Sequence, residues 1–180
     1  MSQRLSLKAM QERLAQRLQE ARDQGVASVW LGVEVGTRAC LLPLVQAGEI
    51  LPWTPPHPVP YTQDWYHGVV NHRGDLLGLV DLAAFVAQQA GEPAPPPLAD
   101  RLSQATRLVG VHKALDVPVV LWVDRLAGLH GPAQFERCEP PPPDAPPWQG
   151  QRLIDRQQRP WQEINLMGLC AMPAFLSVAA

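Results

Sequence analysis

Charge of either sign is scarce in this 180-residue chain: 18% of its residues are charged and the formal net charge is −2. That balance sets up no field to draw in nucleic acid or an anionic lipid surface, so neither is expected as a partner. Cysteine is sparse too. Cys40, Cys138 and Cys170 are odd in number and far apart, which excludes a disulfide framework and a zinc-finger spacing and points to a reducing compartment. No apolar run reaches the length of a bilayer span, and Met1-Ser2-Gln3-Arg4 leads into an amphipathic stretch rather than a secretory core. A cytosolic protein is expected.

A catalytic constellation is also missing. His57, His67, His72, His112 and His130 are scattered, with no pair at His-x-x-x-His spacing. Asp75 and Asp81, six residues apart, read as a turn residue and a strand-end residue rather than a carboxylate pair. Cys40 and Cys170 lie in apolar stretches, where cysteine acts as a small buried hydrophobe. No enzyme activity, cofactor or metal is expected.

What the chain does have is apolar material, 46% of it, enough for one domain or two small ones sharing a core. Leu7 to Gln24 predicts a helix, with Met10, Leu14, Leu18 and Ala21 at helical spacing and Gly25 as a C-cap. Its apolar stripe covers either its own domain or a partner. Residues 1–25 are therefore read as an N-terminal amphipathic helix and 26–180 as the main domain. From Val29 the period shortens to two: Val29, Leu31, Val33 and Val35 alternate with Trp30, Gly32, Glu34 and Gly36, predicting a half-buried strand. Ala39 to Leu44 predicts its return.

Prolines at 52, 55, 56, 58 and 60 restrict that segment to a loop or sheet edge. Leu82 to Gln89 predicts a short helix ending near Gly91, followed by a proline loop over 93–97. Arg107 to His112 and Val117 to Val123 predict a hairpin, with Val123 to Leu129 running on toward a turn. Residues 140–147 predict an exposed, polyproline-like connection. Gln151 to Asp155 and Trp161 to Asn165 predict a last strand pair, and Leu166 to Ala171 a short helical turn. Among the tryptophans, Trp30 and Trp122 are expected to pack, whereas Trp65, Trp148 and Trp161 are expected to be partly exposed at contacts. Trp53, in the proline segment, has no evident place. Many short strands with turn signals between them favour an all-β barrel assembly.

One stretch organises the rest. Gly68-Val69-Val70 and Leu76 to Val80 flank the polar cluster Asn71-His72-Arg73-Gly74-Asp75, which predicts a β-hairpin. Gly74 can take positive φ, and Arg73 beside it carries a cationic fork on a tight bend. An arginine raised on a rigid hairpin suits the carboxylates or carbonyls of another protein. Alternatively it folds back onto its own domain, toward Asp75 or Asp81. Either way the hairpin suits contact rather than chemistry.

The run Asp64-Trp65-Tyr66-His67-Gly68-Val69-Val70-Asn71-His72-Arg73-Gly74 through Asp81-Leu82 resembles the central signature of CheW-like coupling proteins. Supporting similarity lies in Trp30–Gly36, Leu41–Leu44, Gly48-Glu49-Ile50 and Val119–Gly128. The tail, Trp161–Leu166 and Pro173–Leu176, resembles the branch serving type IV pilus chemosensory arrays. The resemblance implies two small SH3-like five-stranded β-barrels sharing an apolar core, with a short C-terminal helix. It implies a non-catalytic adaptor between the cytoplasmic tip of a chemoreceptor and a CheA-type histidine kinase. Such an adaptor is cytoplasmic, is recruited to the inner face of the membrane through receptors, and controls type IV pilus or flagellar motility. It assigns partner contact, or its local geometry, to Glu49, Gly68, Asn71, Arg73 and Gly74. Ala47 and Gly48 are smaller than the family's usual residues there, and the proline loops and N-terminal helix are additions to its minimal pattern. A stand-alone regulator of the same fold, acting outside chemosensory arrays, is the alternative.

Overall fold

The computed structural model describes residues 29–180. The helix expected over Leu7 to Gln24, and the boundary at residue 25, lie outside the described residues. From Trp30 onward eleven strands form two sheets. The first contains β1 (Trp30–Val35), β2 (Arg38–Pro43), β8 (Arg125–His130), β9 (Phe135–Glu139), β10 (Gln149–Asp155) and β11 (Pro160–Ile164), in the order β8-β1-β2-β11-β10-β9. The second contains β3 (Ala47–Pro52), β4 (Tyr66–His72), β5 (Asp75–Asp81), β6 (Arg107–Val111) and β7 (Val119–Val123), in the order β3-β6-β7-β5-β4.

Neither sheet is flat. In the first, the edge strands β8 and β9 are joined by the tight 3-10 turn Pro132–Gln134, and the rings of His130 and Phe135 lie 5.9 Å apart across that seam. In the second, the chain leaving edge strand β3 runs to His57, whose N–H and C=O both bond Val69 of the opposite edge strand β4 (2.7 and 2.9 Å). Each sheet thus curls toward closure around its own apolar filling. Trp30, Ala39, Leu41, Leu153 and Trp161 fill the first. Leu51, Val70, Leu79, Leu108, Val120 and Trp122 fill the second.

Between them lies a larger shared core that includes Leu31, Val33, Val35, Leu42, Trp65, Phe85, Ile164, Leu166 and Phe175. Its helical cover is α1 (Leu82–Ala90), α3 (Leu166–Ala171) and α4 (Pro173–Leu176); α2 (Leu98–Arg101) lies in the long β5–β6 connection. Gly91, at φ 65°, ends α1. Asp81 starts it, accepting the amides of Ala83 and Ala84 through Oδ1 (3.0 and 3.2 Å). Its other oxygen takes Arg101 Nη2 at 2.8 Å. Asp81 is buried, yet His67 and Arg101 face it. Burial opposes its ionisation, and those two partners outweigh burial, so its carboxyl titrates below the usual aspartate range.

Several expectations needed correction. β1 is buried on both faces rather than one, because Trp30 fills the first barrel while Leu31, Val33 and Val35 face the shared core. The segment after Val123 is no turn: at Asp124 the chain passes into β8 and pairs with β1 of the other sheet. Asp124 fixes the crossing, its N–H on Glu34 O and its Oδ2 under the Gly36 amide. β9 escaped notice because Phe-Glu-Arg-Cys-Glu has one apolar anchor, and it supplies a sixth strand to the first sheet. Trp65, Trp148 and Trp161 are buried, not exposed at contacts, whereas Trp53 packs edge-on against Trp122 with centroids 4.6 Å apart. The 140–147 connection is largely exposed, but a turn (Ala145 N–H to Pro142 O, 3.0 Å) interrupts it. Cys40 is fully buried, which pushes its thiol up to about 12, as befits a core residue.

Candidate partner-binding site

The hairpin of β4 and β5 is longer and tighter than its apolar runs suggest. The strands pair out to His72–Asp75, leaving only Arg73 and Gly74 in the loop. Both have positive φ, 54° and 94°, the signature of a type I′ turn whose twist matches that of the strands. Arg73, not only Gly74, therefore occupies the left-handed region. Asn71 braces the loop, its Oδ1 accepting the Gly74 N–H at 3.1 Å.

Across from this loop stands Glu49. β3 has an irregular register against β6 between Ala47 and Ile50, and Glu49 and Ile50 are both exposed there. Gly48 permits the close approach: a Cβ would meet the Val111 carbonyl oxygen at 2.8 Å. The Glu49 carboxylate then takes Arg73 Nη2 at 3.0 Å on one oxygen and faces His72 Nε2 at 3.3 Å on the other. Strands β3 and β4 are the two edges of the five-stranded sheet, so this triad spans the barrel seam. Arg73 is neither isolated nor folded onto Asp75 or Asp81; its partner is Glu49, 24 residues away.

The triad is solvent-facing, with the Arg73 side chain 74% and the Glu49 side chain 50% accessible. A pair in water contributes ~0–1 kcal/mol to folding, so both groups can exchange partners at little cost. Exposed Ile50 and Leu76 add apolar surface on the same two elements. Sequence reasoning passed over His72, Ile50 and Leu76. Leu76 pairs directly with exposed Asn71, a register that puts both on one face and could have exposed it.

Four of the five residues named from sequence, Glu49, Asn71, Arg73 and Gly74, thus gather at one exposed seam. Gly68 does not join them. It is buried at φ 115°, where a Cβ would collide with the His57 carbonyl oxygen, so it serves the bulge that lets His57 pair with Val69. Among the described residues, no group of three or more His, Cys, Asp or Glu side chains is arranged to hold a metal ion. None of the described helices is long and apolar enough to cross a membrane.

Comparison with known proteins agrees with this architecture. Protein PilI of Pseudomonas aeruginosa is 29% identical over 162 residues, covering 88% of this chain and 85% of that protein. Chemotaxis protein CheW of Rhizobium meliloti is 33% identical over 63 residues, 35% of this chain and 41% of that one. The crystal structure of the scaffolding protein TtCheW from Thermoanaerobacter tengcongensis has the same fold, with a TM-score of 0.60 at 16% identity over 78% of this chain and 90% of its own. The model of the CheW-like domain matches residues 30–161, which take in the whole second sheet with the Glu49–Arg73 seam and the first sheet as far as the start of β11, and the chain belongs to that family.

Proposed function

We propose that this protein is a non-catalytic adaptor coupling the cytoplasmic tip of a chemoreceptor to a CheA-type histidine kinase. The observation that carries this reading is the exposed seam where Glu49 meets Arg73 and His72 beside Ile50 and Leu76. A rigid type I′ turn presents a guanidinium already oriented, so little side-chain order is lost when a partner's carboxylate or carbonyl replaces Glu49. Asn71 and Gly74 hold that turn, and Gly68 sets the bulge behind it. The similarity to Protein PilI over most of both chains favours an array that controls type IV pili. Such an adaptor works in the cytoplasm and reaches the inner face of the membrane through its receptors.

The test is reconstitution. The purified protein is mixed with a kinase and the cytoplasmic hairpin of a receptor from the same cell, and complexes are sized. A ternary complex that needs this chain, and that weakens with Arg73→Ala at unchanged melting temperature, supports the adaptor. Binding to neither component would leave a stand-alone regulator of the same fold as the better reading.

A further inference from the structure

Nine arginines lie among the described residues, and eight of them are occupied within the chain. Six pair with carboxylates, and Arg107 and Arg156 donate to main-chain carbonyls. The ninth, Arg152 on β10, is exposed and has no such partner among the described residues. Register defines its place on the sheet. Arg152 lies opposite Gln162 of β11, and Gln162 lies opposite Cys40 of β2. The alternate positions Leu41, Leu153 and Trp161 fill the first barrel, so Arg152 and Gln162 stand on its outer face. Arg38, two residues before Cys40, shares that face. Here the sheet carries a groove of about 480 Å³, walled by Pro140, Pro141 and Pro142 and lined by Arg38, Arg152 and Arg159. Its one carboxylate among the described residues is Glu139, which Arg137 holds at 3.1 Å.

We propose that this groove docks an acidic peptide segment of another protein, with Arg152 as the anchor. A guanidinium offers its N–H donors in a flat fork that matches a carboxylate, and this one has no acceptor of its own. Arg159 can be recruited beside it, because its partner Glu34 is already held by two bonds from Arg125 (2.9 and 2.6 Å). Arg38 pairs with Glu92, which is not part of the groove lining. β2 and β10 flank β11 and so lie about 10 Å apart. That spacing suits carboxylates on separate residues of an extended segment better than the oxygens of one small anion. The proline wall has no N–H of its own and adds apolar surface for the side chains between them. With a formal net charge of −2, the chain as a whole repels an acidic peptide, so attraction has to come from a local patch such as this one. The groove belongs to the first barrel and is separate from the β3–β4 seam, so the inference does not rest on the adaptor reading.

Fluorescence anisotropy of labelled hexaglutamate and hexaglutamine peptides, titrated with the full chain at low salt, tests it. Hexaglutamate should bind and hexaglutamine should not, and added salt should weaken the binding. Arg152→Gln should weaken it about fivefold or more at unchanged melting temperature, as for the loss of one charge-assisted contact. Arg152→Lys, which keeps the charge without the fork, should recover part of that loss. Lys113→Gln makes the same change of charge at an exposed site between β6 and β7 and should shift the affinity by less than about twofold. No binding of hexaglutamate, or equal losses from Arg152→Gln and Lys113→Gln, would overturn the proposal. Displacement of the peptide by equimolar inorganic phosphate would overturn it too, by making the groove a site for a small anion.

Discussion

The two barrels close by opposite means. The first seals its seam with rings: His130 and Phe135 face each other across β8 and β9, Trp30 meets Phe135 edge-on at 5.9 Å, and Trp161 lies 4.5 Å from His130. Even the polar edges of these indoles are used, Trp30 Nε1 on Glu163 and Trp161 Nε1 on Asp155. The second barrel closes with the two hydrogen bonds between His57 and Val69 and with the exposed Glu49–Arg73 pair, flanked by half-buried His72. A seam of half-buried rings backed by the buried indoles of Trp30 and Trp161 is committed to stability. A seam of hydrated charges contributes little to the fold and stays available to another protein.

The largest effect should come from breaking the first seam. Trp161→Ala removes a buried indole from a closed ring of aromatics and should cost about 3–5 kcal/mol, on the order of 10 °C in melting temperature. A smaller fall from Trp161→Ala than from a Glu49 substitution would reverse the contrast.

The second barrel has a buried charge of its own, which separates exposure from location. Arg101 is paired to Asp81 with both side chains almost wholly inaccessible. Arg101→Ala strands the Asp81 carboxylate and should cost about 3 kcal/mol, measured by denaturant unfolding. Because Asp81 titrates below its ordinary range in the folded state, its contribution is fully present above the ordinary aspartate value and is lost as pH falls through the depressed one. Melting curves taken from neutral pH down through the carboxylate range should therefore show a shallower acid limb in Arg101→Ala than in the wild type.

Arg73→Ala moves a different observable. Truncating a charged anchor at the centre of an interface should weaken binding of the kinase or receptor by about 2 kcal/mol, roughly thirtyfold in Kd by titration calorimetry. Melting temperature should shift by no more than about 2–4 °C, because the pair it leaves is exposed. A large loss of stability with Arg73→Ala would make the arginine a structural closure.

The smallest change belongs to Glu49→Gln, which keeps shape and removes charge. Its stability should fall by less than about 1 kcal/mol, and the loss should shrink further in high salt, as for any solvent-facing pair. A salt-independent loss would mean that the seam is shielded from water.

Local order was written plainly in the sequence. Period-two alternation pointed to β1, and short apolar runs on either side of turn clusters pointed to β2, β6, β7 and the β4–β5 hairpin, because both signals are properties of neighbours along the chain. Asp81 and Gly91 could be seen as the ends of α1 for the same reason. The signature around Arg73 led to the family, and Glu49 came with it. Tertiary structure decided what depends on residues far apart. That Glu49 and Arg73 meet follows from the curl of a five-stranded sheet that brings its first and last edges together. That Trp65, Trp148 and Trp161 are buried follows from their being roofed by Phe175, α3 and β9, segments whose sequences say nothing of where they lie. Polar β9 forms a strand because β10 offers it an edge. Period and turn chemistry are encoded within a few residues; closure is encoded only in the sum of side chains that meet across the chain.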